Sequence, residues 1–404
     1  MKFAIRPILL LFVISLPSTL NANSFEEILK KAALENGVLP AERLYHNPDE
    51  KLIEPGKTFF ESERLSLNGN ISCKTCHLAE HGSADGIPNA VGVGGDGHGN
   101  ARLLGDGKIV PRNTLPLWGR GGPGFKTFFW DGKVDFSKGQ KISQFGEKAP
   151  STDALIVTVH LPAVEIREML FEDSTVAELK NETTESANEI YKVVVDTIQE
   201  HEKAAIMQLA EALKKEISQI QFLDIARSIA AFIRAEFRIK SSKFHDFVFK
   251  GGPLSEDEVQ GGLIFYGKGK CSNCHGGPYF ADFEFHAIPL PQLGFGKNGF
   301  GVDYGRFNVT LNPKDLYKFR TPPLLNVTKT APYGHAGSAI NLHEAIIYHF
   351  DPLKVLSIET MDQLARHEYY KRLAISSQNI LHIGFLTEKE VSSLVKFLDT
   401  LSFD

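Results

Sequence analysis

The clearest hydrophobic periodicity in this chain lies between residues 186 and 238. Ile206, Leu209, Leu213, Ile217 and Ile220 recur every three or four positions, and Ile225, Ile229, Phe232 and Ile233 resume the pattern after a small phase shift. That spacing predicts two amphipathic helices. Other helices are announced by their caps. Ser24-Phe25-Glu26-Glu27 reads as a capping box opening a helix through Leu29, Ala32 and Ala33. Ser255 with Glu258 caps a helix ahead of Gly267, and Thr387 with Glu390 caps a closing helix through Val391, Leu394, Val395 and Leu398. Between Ile87 and Gly132 no period holds; Gly, Pro and Asn crowd the chain, and a loop of that length is usually functional. Lys250-Gly251-Gly252-Pro253 marks a boundary.

The N-terminus has a different pattern. Lys2 and Arg6 precede a short apolar run from Pro7 to Leu16, and Leu20-Asn21-Ala22 offers a cleavage site. The run is too short to span a bilayer, so residues 1–22 read as a cleavable signal peptide and the mature chain as soluble and periplasmic. The length of 404 residues implies two or three domains. A net charge of −5 argues against nucleic acid as a partner.

The chemistry is concentrated in the cysteines. The chain owns four, and all are used in two copies of Cys-x-x-Cys-His, at Cys73-Cys76-His77 and Cys271-Cys274-His275. This is the attachment pattern of c-type haem, in which two thiols one turn apart bond one porphyrin and the adjacent imidazole ligates iron. Two cysteine pairs could instead hold one zinc, but a zinc site needs no histidine after each pair. Disulfides within such pairs are redox-active, and nothing around them suggests a thioredoxin-like strand–turn–helix. Two c-type haems are the expectation. The 35 glycines and 20 prolines beside 29 phenylalanines then fit long irregular loops wrapped around large apolar cofactors.

Further motifs are Pro111-Arg112-Asn113-Thr114, Phe129-Trp130-Asp131-Gly132-Lys133 and Pro162-Ala163-Val164-Glu165. Beyond the second Cys motif stand Phe319-Arg320-Thr321-Pro322, Leu325-Asn326-Val327 and Thr330-Ala331-Pro332-Tyr333-Gly334-His335-Ala336-Gly337. With these, in this order, the chain resembles the bacterial di-haem cytochrome c peroxidases and their MauG-like relatives from about residue 50 to the C-terminus, leaving out the middle helices and a loop near 141–160. The resemblance implies a mainly α fold with two cytochrome c-like haem domains and long irregular loops. The N-terminal, peroxidatic domain would cover 23–250 with a helical insertion at about 186–238, and the C-terminal, electron-transfer domain 251–404.

It also implies roles. Glu165 matches the family's distal acid–base, with Glu168 a rival one turn on, and Gln140 the distal-pocket glutamine. Trp130 matches a relay between the haems, whereas Trp118 reads as packing. In many members a histidine sixteen residues beyond the first motif histidine plugs the first iron; here that position is Val93, which cannot ligate, and His98 lies nearby in the same loop. The first haem is therefore expected to be open. His349 stands where the second haem's sixth ligand is expected, with Tyr348 and Met361 as alternatives, while His335 matches a supporting residue. Asn113, Thr330 and Pro332 match a calcium site. The implied activity is reduction of hydrogen peroxide at the first haem, with electrons entering through the second from a monohaem cytochrome c or a cupredoxin. Family members are often homodimers. A MauG-like oxidase acting on a partner protein and a non-catalytic electron-transfer protein are the alternatives.

Overall fold

The computed structural model describes residues 22–67, 69–171, 184–382 and 384–404. The leader expected at 1–22 falls outside them except for Ala22. The chain is mainly helical. It begins with α1 (Ala22–Glu35), α2 (Ile53–Glu61), the single turn α3 (Cys73–Cys76) and α4 (Ala154–His160). The middle contributes α5 (Thr184–His201), α6 (Lys203–Leu213), α7 (Phe222–Glu236) and α8 (Lys243–Lys250). The remainder carries α9 (Glu256–Tyr266), α10 (Phe307–Thr310), α11 (Leu342–Tyr348), α12 (Pro352–Val355), α13 (Gln363–His382) and α14 (Glu388–Asp399). Extended structure among the described residues forms three antiparallel pairs: β1 (Ala90–Val91) with β2 (Ile109–Val110), β3 (Thr127–Phe128) with β4 (Val134–Asp135), and β5 (Phe285–His286) with β6 (Phe319–Arg320).

The caps on α9 and α14 form as the sequence predicts, with Ser255–Glu258 and Thr387–Glu390 satisfying the first backbone N–H groups reciprocally. Two expectations need correction. Helix α1 already includes Ser24, so that serine is not its cap. The periodic stretch at 186–238 is three helices rather than two, because α5 precedes the residues that carry the period, and α6 stops early, at Leu213. Lys214 takes a left-handed conformation (φ 54°), and the Lys215 N–H turns back to the Ala210 carbonyl. Ile217 therefore falls in a separate short turn, Ile217–Gln219, with Ile220 as its C-cap.

The core is built on two helix crossings, each involving the helix just ahead of a Cys motif. Helix α2 crosses α7 so closely that a Cβ at Gly56 would stand 1.9 Å from the Ser228 carbonyl oxygen. Helix α9 crosses α14 the same way, and a Cβ at Gly261 would stand 2.0 Å from the Ser393 carbonyl oxygen. Part of the segment expected as an insertion is thus one half of the first crossing. Ala226, Ile229 and Ala230 of α7 are fully buried there. Helices α1 and α8 precede the Gly251 boundary yet pack on the second crossing. Leu29 of α1 lies against Gly262, and Phe244 of α8 meets Phe397 edge-on at 5.0 Å.

The larger hydrophobic core runs through both halves, and buried polar contacts tie them together. Arg112 bonds Asp131 at 2.6 Å and Asp303 at 2.7 and 2.9 Å. Arg306 donates to the Asp131 and Gly132 carbonyls and to the Asp135 carboxylate. The Arg320 backbone N–H donates to the Trp130 carbonyl at 2.8 Å.

Overpacking a core typically costs about 1–3 kcal/mol, so Gly261→Ala is expected to lose that much or more in denaturant unfolding. Gly251→Ala, whose Cβ meets nothing, should lose only the smaller strain of its left-handed conformation (φ 72°).

Candidate functional site

Both Cys motifs fold into one tight turn, closed by the histidine N–H on the first cysteine's carbonyl: His77 to Cys73 at 3.0 Å and His275 to Cys271 at 2.7 Å. A spacing of three in such a turn puts both thiols on one side. All four thiols are free. Burial pushes the Cys73 and Cys271 thiols up to about 12, so they stay protonated.

The histidines are oriented alike. His77 Nδ1 lies 2.8 Å from the Ser83 carbonyl, and His275 Nδ1 lies 3.0 Å from the Phe280 carbonyl. A carbonyl only accepts, so Nδ1 carries the proton and Nε2 keeps its lone pair. Both carbonyls come from residues in left-handed backbone, Ser83 (φ 67°) and Phe280 (φ 54°). Burial lowers both imidazoles to about 4, leaving them neutral at physiological pH. Paired thiols and a neutral imidazole with a free Nε2 are the donor set that a covalently attached haem requires, and both motifs fit it.

The sites differ opposite the histidine. At the second, His349 caps α11 with its Nδ1 2.7 Å from the Ala345 carbonyl, which leaves its Nε2 free as well. The His275 and His349 ring centroids are 6.5 Å apart. Two imidazole–metal bonds of about 2 Å, plus about 1.2 Å from each nitrogen to its ring centre, span ~6.4 Å. The pair is therefore spaced to hold one metal between them. Tyr348 is buried, and Met361 follows the turn Ile358–Thr360 outside α11. His335 stacks on Phe319 at 3.9 Å, and its Nε2 lies 3.1 Å from Gln292 Oε1, a supporting position.

At the first site His77, Cys73 and Cys76 line a cleft whose walls include Trp130, Lys133, Glu165, Glu168 and Lys297. Among the described residues, no histidine other than His77 lines it. His98 is exposed at the start of the turn Gly99–Leu104, and Gln140 is exposed on the loop after β4; neither reaches the cleft. Val93, fully buried, donates its backbone N–H to the Arg167 and Glu168 carbonyls at 3.2 and 3.1 Å. Instead of facing an iron, this position pins the turn that carries both glutamates.

The two glutamates are in different electrostatic states. Burial by itself would raise Glu165, but Lys133, 2.7 Å from its carboxylate, and Lys297 behind it hold it below the usual carboxylate range. Burial dominates at Glu168 and raises it to about 7 against the pull of Lys133. Glu168 also lies close enough to the Cys73 and Cys76 thiols to push them up.

Trp130 is buried, with Nε1 donating to the Asn113 carbonyl at 2.9 Å. Trp118 packs edge-on to Phe237 and Phe403, as expected of a structural residue. The Asn113 side-chain amide lies 2.7 Å from the Pro332 carbonyl, and Thr330 is buried beside it in sequence. Sequence reasoning missed Lys133 and Lys297 as parts of the first site, and Arg102, whose guanidinium bonds the Val91, Gly92 and Gly97 carbonyls and fixes the loop beneath it. Only Lys133 carried a signal, through its place after Trp130-Asp131-Gly132.

Among protein families, the one described as di-haem cytochrome c peroxidase matches residues 50–252. The cytochrome c551 peroxidase of Pseudomonas aeruginosa is 28% identical over 301 residues, covering 74% of this chain and 71% of that protein. The methylamine utilization protein MauG of Methylorubrum extorquens is 27% identical over 302 residues, covering 73% and 67%. In fold, the chain resembles a MauG-like protein associated with microbial copper homeostasis (TM-score 0.62, 24% identity, 91% and 92% covered). It also resembles the di-haem peroxidase BthA of Burkholderia thailandensis (TM-score 0.62, 18% identity, 91% and 89% covered). No helix among the described residues is long and apolar enough to cross a membrane.

A Cβ at Gly92 would stand 1.8 Å from the Arg167 carbonyl. Gly92→Ala is expected to push the glutamate-bearing turn away and to strip the Val93 amide of its protection in hydrogen-exchange mass spectrometry, while the protein remains folded.

Proposed function

The chain belongs to the di-haem cytochrome c peroxidase family, whose named relatives are oxidoreductases, and we propose that it is a periplasmic enzyme that reduces hydrogen peroxide to water at the first site with electrons relayed through the second. The family implies two c-type haems, and with them hydrogen peroxide and an electron-donor cytochrome as the reaction partners. The observation that carries the reading is the contrast between the sites. One offers a cleft lined by titratable groups, and the other sets a second imidazole 6.5 Å from the first.

Bound haem would supply the redox-active iron at each site. The proton chemistry belongs to the chain. Splitting the O–O bond requires moving a proton from one peroxide oxygen to the other, and one hydrogen peroxide, two electrons and two protons then give two waters. Glu168 suits the shuttle, because a carboxyl titrating near neutral pH both accepts and returns a proton. Glu165, the motif match, is kept ionised by Lys133 and acts as a fixed charge that holds that lysine in the cleft wall. Trp130 is the relay: its indole lines the first cleft while its carbonyl is bonded to Arg320 of the second half.

His275 and His349 together make a bis-imidazole second site, with a lower potential than a methionine-ligated one. A calcium ion between the halves would use Asn113, Thr330 and Pro332. The two ends of an Asn amide are assigned rather than observed, and turned over, Asn113 Oδ1 faces the same carbonyl. The donor would be a small cytochrome c or cupredoxin docking near the second site. A second reading, a MauG-like oxidase acting on a partner protein, is favoured by imidazole in place of a thioether at the second site. Reduced cytochrome c should speed peroxide turnover under the first reading and leave it unchanged under the second.

The fully ferric protein should change its visible spectrum on one equivalent of hydrogen peroxide without prior reduction. Glu168→Gln should slow that change by about 10²–10⁴-fold with both haems retained, whereas Glu165→Gln should slow it far less; the opposite ranking would return the role to Glu165. The wild-type rate should rise with pH through about 7 as Glu168 ionises, and the Gln variant should be flat there. His349→Ala should convert the second haem from low to high spin and leave the first-site spectrum unchanged.

A further inference from the structure

Two buried guanidiniums lack the counter-charge that burial demands. Arg120 is 6% exposed and lines the first cleft; its Nε donates to the Pro116 carbonyl at 2.8 Å. Arg320, on β6 of the second half, is 1% exposed. Its Nε donates to the Phe129 carbonyl at 2.9 Å and its Nη1 to the Thr321 carbonyl at 3.4 Å, but its Nη2 is buried with no partner. Both guanidiniums sit over the same ring, Phe125, at 5.7 and 5.8 Å.

The nearby carboxylates are already taken. Asp131 is bonded by Arg112, and Asp135 by Arg306, Thr127 and Ser137. Among the described residues neither Arg120 nor Arg320 forms an ion pair. Two like charges sharing one phenyl ring, with a donor unmet, are costly unless an anion joins them. Burial accordingly drags Arg120 down to about 10, and burial with Arg120 as an added like charge lowers Arg320 too.

We propose that Arg120 and Arg320 form an anion seat between the two sites, built for the propionate carboxylates of the haems attached at the Cys motifs. The guanidinium fork matches a carboxylate bidentately. One arginine comes from each half, so the seat is completed only when the halves pack together. The proposal rests on the di-haem reading.

Its test begins with haem content in the wild-type holoprotein; fewer than two haems per chain would remove that reading and the proposal with it. Given two, midpoint potentials are measured by spectroelectrochemistry for Arg120→Gln, Arg320→Gln and the corresponding Lys variants. A carboxylate stripped of its cation favours the more positive ferric haem. Arg120→Gln is therefore expected to shift the first-site couple toward the ferric form at least tenfold, about 59 mV for one electron. Arg320→Gln should do the same to at least one couple, and the Lys variants should recover most of the shift. Fully loaded Gln variants with unchanged potentials would overturn the proposal. So would equal shifts in the Lys and Gln variants, which mark a packing role. If Arg320→Gln does not accumulate, Arg120→Gln against Arg120→Lys decides by the same criterion.

Discussion

Arg112 sits between two buried aspartates that come from opposite halves of the chain, and much of what is distinctive about the first site depends on that bridge. An unpaired charge at this depth costs several kcal/mol, so guanidinium and carboxylates constrain one another. Asp131 and Asp303 have pKa values held below the usual range by Arg112, against the upward push of burial. The bridge fixes the Gly-rich segment before Asp303 against the loop carrying Trp130 to Lys133. Through it Lys297 of the second half reaches the wall of a cleft whose histidine belongs to the first.

Each half solves one local problem in the same way. A glycine lets two helices cross at backbone contact, the Cys motif follows as one tight turn, and a carbonyl from a left-handed residue locks the imidazole by its Nδ1. Divergence begins on the opposite face. At the second site α11 ends in a histidine aimed back at its partner. At the first, the loop position that could have supplied a ligand is spent on backbone bonds that hold a turn with two glutamates. Two facing imidazoles, His275 and His349, would hold a haem iron at the second site and, under the proposed function, would suit it to passing electrons. A cleft with a carboxyl that titrates near neutrality is suited to chemistry on a bound oxygen species. The contrast between the two sites therefore arises from what lies opposite each motif histidine rather than from the histidines themselves.

The Cys-x-x-Cys-His turns, the capping boxes of α9 and α14 and the helical spacing of the middle segment were legible in the sequence, because each is encoded within a few consecutive residues. His349 was legible only through the family's pattern, and its pairing with His275 depends on residues far apart in the chain. Motif matching singled out Glu165; Lys133, 32 positions away, holds its carboxylate below the usual range, whereas burial raises Glu168. Gln140 and His98 carry the right chemistry in the right region, yet the loop geometry turns both to solvent. The role of α7 in the first crossing, the reach of Lys297 and the convergence of Arg120 with Arg320 had no local signature. The Cys-x-x-Cys-His turns and the helix caps follow from short-range stereochemistry, which the sequence by itself determined. Which charges are paired, buried or left waiting for an anion depends on which distant segments meet, and only the tertiary structure decided that.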